Sequence, residues 1–171
     1  VVANGVDAQR FDAVAAGRQR AAADGALTVG STTTGSITRP ITDESIVNAS
    51  ATAGPITIGF VGTLKPWHGV DVLVDALARA RAPWRLRVIG DGPQCEALTE
   101  QARALGVEVD FRGAVAPAEI PDHLAGSAIG VAPYPATAAE TDQYFSPLKI
   151  YEYLAAGLPV VASRVGQVPA I

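Results

Sequence analysis

Residues 56–80 read ITIGFVGTLKPWHGVDVLVDALARA, and the change of pattern within this stretch decides the fold. Its first six residues form a largely apolar run, which is typical of a strand buried on both faces. From Val70 onward, apolar residues recur at helical spacing and charged residues occupy the rest of the helix surface. The stretch therefore predicts a buried strand, a turn bounded by glycines and an amphipathic helix, which together begin a βαβ unit.

The same alternation continues along the chain. Strand-like runs cover residues 56–61, 86–89, 107–111, 128–132 and 159–162. Predicted helices follow the first four runs and begin near Val70, Pro93, Pro117 and Pro147. Strands that alternate with helices require parallel pairing through right-handed crossovers. The predicted fold class is α/β, a Rossmann-like doubly wound parallel sheet whose ligands bind beyond the carboxyl ends of the strands.

Residues 1–55 lack the regular alternation of strand-like and helical patterns that residues 56–171 show. We interpret residues 56–171 as the Rossmann-like domain. Asp7 is placed to cap a helix over residues 8–23, and small polar runs follow that helix. We therefore interpret residues 1–55 as a linker or N-terminal extension. Because the chain starts without methionine and stops just after a strand-like run, we expect a piece of a longer protein with a C-terminally incomplete domain.

Composition narrows the function classes. The net charge is −4 and the pI is near 5.1, so the chain has no net positive charge that would attract nucleic acid or an anionic membrane. No run of roughly 18 apolar residues occurs, so no membrane segment is expected. The single cysteine, Cys95, excludes a disulfide within the chain and follows the apolar stripe of a predicted helix, so we expect it in the core. No Cys or His cluster has zinc spacing, and the predicted compartment is the cytoplasm.

The turn of residues 62–69 reads GTLKPWHG and joins the first strand to its helix. Its two glycines let a ligand approach the backbone closely. Lys65 and His68 add cationic or donor groups beside a helix N-terminus, which favours anions. This combination predicts a phosphate site, although it is not a P-loop. The alternative left open by the residues is an ordinary turn covered by Trp67.

A second turn, Gly90-Asp91-Gly92-Pro93, follows the next strand. It lacks the third glycine of the dinucleotide fingerprint, and no suitable ribose carboxylate follows it. NAD binding, and with it an oxidoreductase function, is therefore poorly supported. We interpret this turn as structural.

A third segment starts the last predicted helix. Ser146 is a natural N-cap and Pro147 suits the first helical position, so the free amides of Leu148 and Lys149 point out of the helix start. These amides predict a second anion site.

The same helix carries a predicted buried stripe made of Ile150, Tyr153 and Leu154. Lys149 and Glu152 then become neighbours on a different face. The alternative left open here is a solvated pair of these two charges that contributes a few tenths of a kcal/mol.

These segments, in this order, resemble the donor-binding half of glycosyltransferase family 4, two-domain GT-B enzymes of glycosyl transferases group 1. The resemblance covers nearly all of residues 56–171. Five motifs carry it: Asn4-Gly5-Val6-Asp7 with Arg10-Phe11, Gly62 to Gly69, Gly90 to Pro93, Phe111-Arg112-Gly113, and Pro147 to Ser163.

The resemblance implies a nucleoside diphosphate sugar, a UDP- or GDP-sugar, bound in the crevice of the sheet. It also implies a retaining, metal-independent hexosyl transfer without a cofactor. The acceptor domain of such an enzyme would precede this chain, which is therefore expected to bind donor weakly and to transfer no sugar alone. The complete enzyme could then be peripheral at a membrane while this chain has no membrane segment of its own.

The resemblance assigns roles to individual positions. The first loop, through Gly62, Thr63, Lys65, His68 and Gly69, would face the donor diphosphate. At the last helix, Pro147 and the amides of Leu148 and Lys149 would cradle it. Gly113 would border the base, and the Glu152 carboxylate would accept hydrogen bonds from the ribose hydroxyls.

The sequence also departs from the family pattern. Tyr144 stands where the first glutamate of the family's Glu-x7-Glu pair falls, so the usual contact with the donor sugar is either missing or made by other groups such as Asp142 or Gln143. The common family arginine is Thr63 and the common lysine is His68. Lys65 is therefore predicted to stabilise the leaving diphosphate, with His68 as the other electrostatic candidate. The alternative function is a non-catalytic Rossmann-like module for nucleotide binding or interaction.

Overall fold

The computed structural model of the protein describes residues 8–23, 55–135 and 147–171. A 3-10 turn at Ala8–Phe11 leads into helix α1 (Asp12–Ala23). The elements that follow alternate along the chain: β1 (Ile56–Val61), α2 (Val70–Ala78), β2 (Trp84–Ile89), α3 (Cys95–Leu105), β3 (Glu108–Phe111), α4 (Ile120–Leu124), β4 (Ile129–Ala132), α5 (Leu148–Ala155) and β5 (Val160–Ala162). The cap predicted at Asp7 lies outside the described residues.

The five strands form one parallel sheet in the order β3-β2-β1-β4-β5. The order reverses between β1 and β4, which is the topological switch point of a doubly wound sheet. Strands β1 and β2 pair over six residues, whereas β1 and β4 pair only at Ile58↔Ile129 and Gly59↔Gly130. The two central strands therefore separate toward their carboxyl ends. The predicted α/β fold class is confirmed.

Helices cover both faces of the sheet. Phe60 and Val61 are successive residues of β1 and point to opposite faces. Phe60 belongs to a core cluster with residues of α2 and α3, and Val61 belongs to another with residues of α4 and α5. Cys95 is partly buried and packs against the first cluster, which confirms its predicted place in the core.

Helix α1 lies against the second face of the sheet. Phe11, which precedes it, is 2% exposed within the second cluster. The Arg18 guanidinium donates a hydrogen bond to the Ser127 carbonyl before β4. Residues 8–23 therefore pack on the Rossmann-like fold, and the predicted domain boundary near residue 55 stays a prediction.

Some predicted details were wrong. We expected every strand to be buried on both faces, but β3 and β5 form the edges of the sheet, and Val161 in β5 is 59% exposed. The helix expected to begin at Pro93 begins at Cys95, because Pro93 lies in the preceding turn and the Gly92 carbonyl accepts from the Cys95 amide. The helix predicted from Pro117 is shorter and starts at Ile120.

Two arginines of β2 offer a matched test of what ion pairs contribute here. Arg87 bonds Asp110 of β3 at 2.9 Å and donates to the carbonyls of His123 and Ala125, and its side chain is 17% exposed. Arg85 pairs with Glu108, and both of these side chains are substantially exposed.

We expect Arg87→Met to lower the free energy of unfolding by about 1 to 2 kcal/mol, because it removes several partly buried hydrogen bonds to charged or carbonyl groups. Arg85→Met should change it by less than about 0.5 kcal/mol, as is usual for an exposed pair. Urea denaturation of both variants measures the difference. Equal effects would contradict the assignment of Arg87 as the link between β3 and the end of α4.

Candidate functional site

The candidate site lies where the strands end at the carboxyl edge of the sheet. Backbone hydrogen bonds join the loops there: Gly62 N–H to Ile89 O at 3.0 Å, Leu64 N–H to Asp91 O at 2.9 Å, and Gly90 N–H to Gly113 O at 2.8 Å. The loops that follow β1, β2 and β3 thus form one connected surface. This brings three of the predicted segments together.

Two glycines are required by close backbone contacts. Gly69 has a φ of 65°, and a Cβ placed on it would lie 1.9 Å from the Pro133 carbonyl oxygen after β4. A Cβ on Gly90 would lie 2.0 Å from the Gly62 carbonyl oxygen. The turn beginning at Gly90 therefore supports the first loop, and its purely structural interpretation stays a prediction.

A cleft of about 250 Å³ opens between these loops. It is lined by Val61, Gly62, Thr63, Ile89, Gly90, Asp91, Ala114, Val115 and Ile120. Gly113 precedes this lining, and the space beside its Cα is open to 4 Å. This location agrees with the predicted role of Gly113 beside a ligand in the cleft.

The first turn of α5 provides amides near this edge that have no partner among the described residues. The helix begins at Leu148 rather than at Pro147, because Pro147 has a ψ of 39° and occupies the N-cap position. The Pro147 carbonyl accepts from the Ile150 amide at 2.9 Å, so the amides of Leu148 and Lys149 precede the first bonded turn. The predicted cap at Ser146 lies outside the described residues, as do Asp142, Gln143 and Tyr144.

The buried face of α5 differs from the predicted one. Lys149 is only 7% exposed, whereas Leu154, expected in the core, is 50% exposed. Ile150 and Tyr153 are buried as expected. The helix is thus rotated so that the stem of Lys149 packs inward, and the alternative of a solvated pair with Glu152 is wrong.

The Lys149 ammonium lies in an aromatic environment. Its Nζ is 4.5 Å from the ring centroid of Phe60 and 4.9 Å from that of Tyr134. Within the part of the chain that the structure describes, this nitrogen is buried and has no hydrogen-bond partner. Burial lowers the pKa of Lys149 to about 8, against a smaller opposing effect of the nearby Glu152 carboxylate. The site therefore holds a cation that is poorly compensated.

His68 was predicted to supply a cationic or donor group, and the structure favours the neutral form of its ring. Its Nδ1 lies against the Thr63 carbonyl, and a carbonyl only accepts, so Nδ1 carries the proton. Burial lowers the pKa of His68, and the nearby Lys149 lowers it further, against the effect of the Thr63 hydrogen bond. The imidazole is therefore neutral at pH 7 and presents an accepting Nε2. Its contribution to the loop is positional.

Lys65 and Trp67 lie on the outer side of the first loop. The Lys65 ammonium is 5.8 Å from the Trp67 ring centroid, and Trp67 is 47% exposed. An exposed contact of this kind is worth about 0.5 to 1 kcal/mol. The predicted role of Lys65 toward a diphosphate stays a prediction. The Trp67 ring also contacts His68 edge-on, with 6.3 Å between the ring centroids, so the alternative of an ordinary turn covered by Trp67 stays a prediction as well.

The Glu152 carboxylate is the remaining candidate. Burial raises its pKa, and the opposite effect comes from Lys149 and Arg10. Among the described residues, it has no side-chain hydrogen bond and no salt bridge within 4 Å. A half-buried carboxylate with open acceptor positions is suited to ligand hydroxyl groups.

The sequence analysis missed the role of the Tyr153 hydroxyl. It accepts a hydrogen bond from the Val61 amide at 2.8 Å and donates one to the Val131 carbonyl at 3.1 Å. The hydroxyl therefore spans the gap where β1 and β4 separate. The signal in the sequence was Gly130, since a Cβ there would lie 2.3 Å from the Tyr153 ring.

Two searches of the described ranges gave no candidate. Among residues 8–23, 55–135 and 147–171, no three His, Cys, Asp or Glu side chains are grouped so as to hold a metal ion. Over the same ranges, none of the helices has the length and apolar character needed to cross a membrane. The predicted metal independence stays a prediction.

Comparison with known families gives one match over most of the chain. Residues 55–171 match the family model described as glycosyl transferases group 1. The range includes the whole sheet and every candidate residue of the site.

Three individual proteins illustrate the similarity. The GDP-mannose-dependent alpha-(1-6)-phosphatidylinositol monomannoside mannosyltransferase of Mycobacterium tuberculosis is 34% identical over 118 residues, which are 66% of this chain and 31% of the relative. The apo structure of the lipopolysaccharide outer core galactosyltransferase WaaB is 25% identical with a TM-score of 0.58, over 70% of this chain and 34% of that chain. Anabaena Alr3699/HepE in complex with UDP-glucose is 27% identical with a TM-score of 0.52, over 74% and 35%. The chain thus spans about a third of the length of these proteins.

Proposed function

The chain belongs to the glycosyl transferases group 1 family, and we propose that it is the donor-binding domain of a retaining glycosyltransferase. The proposed donor is a nucleoside diphosphate sugar, with UDP or GDP as the nucleotide. Transfer would need no metal, and the acceptor would bind a domain that this chain does not contain.

One observation carries the proposal. At the carboxyl edge of the sheet, helix α5 carries the half-buried Glu152 carboxylate together with the amides of Leu148 and Lys149, which have no partner among the described residues. Free amides at a helix N-terminus bind phosphate, and a carboxylate accepts from sugar hydroxyls. A nucleoside diphosphate carries both groups. Its base would enter the cleft beside Gly113.

The compared proteins support both nucleotides. The mycobacterial relative is named as GDP-mannose-dependent, and the HepE structure contains UDP-glucose. Donor choice therefore has to be measured on this chain. A nucleotide-binding module without catalysis predicts the same binding, but no sugar transfer by a longer protein that contains this domain.

Calorimetric titration of the chain with UDP, GDP and ADP tests the proposal. We expect saturable binding of one of these nucleotides. Glu152→Gln should weaken that binding about tenfold, because it replaces charge-assisted hydrogen bonds to hydroxyls by neutral ones.

Glu96→Gln is the matched control, since Glu96 is exposed on α3 and does not line the cleft. It should leave the dissociation constant unchanged. Circular dichroism establishes that each protein is folded. A folded chain that binds none of the three nucleotides would refute the proposal, and equal weakening by both variants would remove Glu152 from the site.

A further inference from the structure

We propose that the side chain of Lys149 is the cation that receives the donor diphosphate, reached past Gly62. The inference rests on the proposed function and deepens it. The sequence analysis gave Lys149 a role through its backbone amide and assigned the charge to Lys65. The structure favours a different distribution of these roles.

The first step is the burial of the ammonium without compensation. Lys149 is 7% exposed, and its Nζ has no hydrogen-bond partner among the described residues. Contact with two aromatic faces stabilises a desolvated cation, but the removal of an ion from water is the larger, unfavourable effect. The aromatic rings of Phe60 and Tyr134 therefore offset only part of this cost. An anionic ligand would supply the rest.

The second step is the position of the ammonium relative to the loop. A Cβ placed on Gly62 would lie 3.2 Å from the Lys149 Nζ and 3.3 Å from its Cε. The absence of a side chain at residue 62 thus leaves space directly beside the ammonium. Gly62 also lines the cleft proposed for the nucleotide. A phosphate on this loop would therefore lie close to the charge.

The third step compares the other groups around the ammonium. His68 is neutral at pH 7, so it adds no charge to the binding of a phosphate. The Tyr134 hydroxyl keeps its proton, because burial raises its pKa to about 12. Glu152 is the nearby anion, but no salt bridge of up to 4 Å joins it to Lys149 in the described structure. A diphosphate would meet an ammonium whose charge is not already neutralised by contact.

The fourth step is the contrast with Lys65. Its ammonium lies over the half-exposed ring of Trp67, and Lys65 is less deeply buried than Lys149. A buried cation interacts more strongly with a bound phosphate than an exposed one, because the local dielectric is lower. The two lysines therefore differ in expected effect, and Lys65 provides a matched control in the same site.

Proton uptake by Lys149 on ligand binding is a specific, measurable consequence of the proposal. With a pKa of about 8, Lys149 is mostly neutral at pH 8.5 in the free protein. A bound diphosphate would favour the ammonium, so binding would take up roughly half a proton or more at this pH. The nucleotide contributes little to the uptake, because its last phosphate ionisation lies near pH 6.

The experiment is calorimetry of the chain at pH 8.5 with the nucleoside diphosphate that it binds. Bicine and Tris buffers, which have different ionisation enthalpies, report the number of protons exchanged. Wild type and Lys65→Met should take up protons, and Lys149→Met should take up none. At pH 7, Lys149→Met should also weaken binding about tenfold or more, while Lys65→Met weakens it less.

Four further outcomes distinguish a failure of the Lys149 assignment from a failure of the proposed function. His68→Gln should retain the proton uptake. Loss of the uptake in this variant would assign the proton to the imidazole and overturn the assignment to Lys149. The nucleoside without phosphates should bind wild type and Lys149→Met equally. If Lys149→Met keeps both the affinity and the uptake, only this inference fails. If the wild type binds no nucleotide, the proposed function fails with it.

Discussion

Lys149→Met is expected to raise the free energy of unfolding at pH 7 by roughly 2 to 3 kcal/mol. Burial without a hydrogen-bond partner lowers the pKa of this lysine to about 8, so the protonated form destabilises the folded chain. Methionine is of similar length and apolar, and it suits the space between Phe60 and Tyr134. A substitution that stabilises the fold while it weakens ligand binding is typical of a functional position.

The pH dependence of stability has a definite sign. The pKa of Lys149 is about 8 in the folded chain and near its ordinary value of 10.5 in the unfolded chain. Between these values the unfolded state binds more protons, so the stability of the wild type rises with pH. Below pH 8 both states are protonated, and the full destabilisation is present. The advantage of Lys149→Met should therefore shrink between pH 8 and pH 10.

Urea denaturation of wild type and Lys149→Met at pH 7, 8, 9 and 10 measures this difference. Taking the difference between the two proteins removes the contributions of other titrating groups. Lys65→Met, which changes a cation beside exposed Trp67, should alter stability by less than about 0.5 kcal/mol at every pH. If Lys149→Met were less stable than wild type at pH 7, the ammonium would have an anionic partner in the folded chain.

The sheet could be predicted because its strands are apolar runs separated by helices of regular period. The runs at 56–61 and 86–89 lie in the centre of the sheet, and burial on both faces is what their composition indicated. Burial at β3 and β5 was predicted wrongly, because a sequence does not state the spatial order of its strands. An apolar edge strand and an apolar central strand have similar sequence patterns.

The backbone part of the site could also be predicted. Glycines in the first loop and the helix start near Pro147 are local features, and the structure places both at the carboxyl edge of the sheet. The side chains were less predictable. Lys149 was predicted to lie off the buried stripe of its helix, but a lysine stem packs readily against apolar surface, and this one turns its charge inward as well. His68 was taken for a possible cation, although its neutral state depends on tertiary contacts.

The role of Tyr153 was also only partly predictable from the sequence. An aromatic residue on a helical stripe predicts burial, and Tyr153 is fully buried. The stripe does not show that the phenol hydroxyl would stand in for missing sheet hydrogen bonds. That role arises because β1 and β4 are paired only at Ile58↔Ile129 and Gly59↔Gly130. Beyond these pairs the strands separate, and the backbone groups between them need another partner.

Tyr153→Phe is expected to lower the free energy of unfolding by about 2 to 4 kcal/mol. The substitution leaves the ring in place but removes the hydroxyl that bonds the Val61 amide and the Val131 carbonyl. Each of these buried backbone groups would lose its partner, and an unsatisfied group costs about 1 to 3 kcal/mol. For a chain of this size, the midpoint of thermal unfolding should fall by roughly 5 to 10 °C.

Tyr151→Phe provides the control, because Tyr151 lies on the same helix and is 38% exposed. It should change stability by less than about 0.5 kcal/mol. Hydrogen exchange adds a local measurement, since the Val61 amide should lose protection in Tyr153→Phe and keep it in Tyr151→Phe. If both variants were equally stable, the gap between β1 and β4 would not depend on the hydroxyl. The expected difference would instead mean that one side chain of α5 bridges β1 and β4 at the switch point of the sheet.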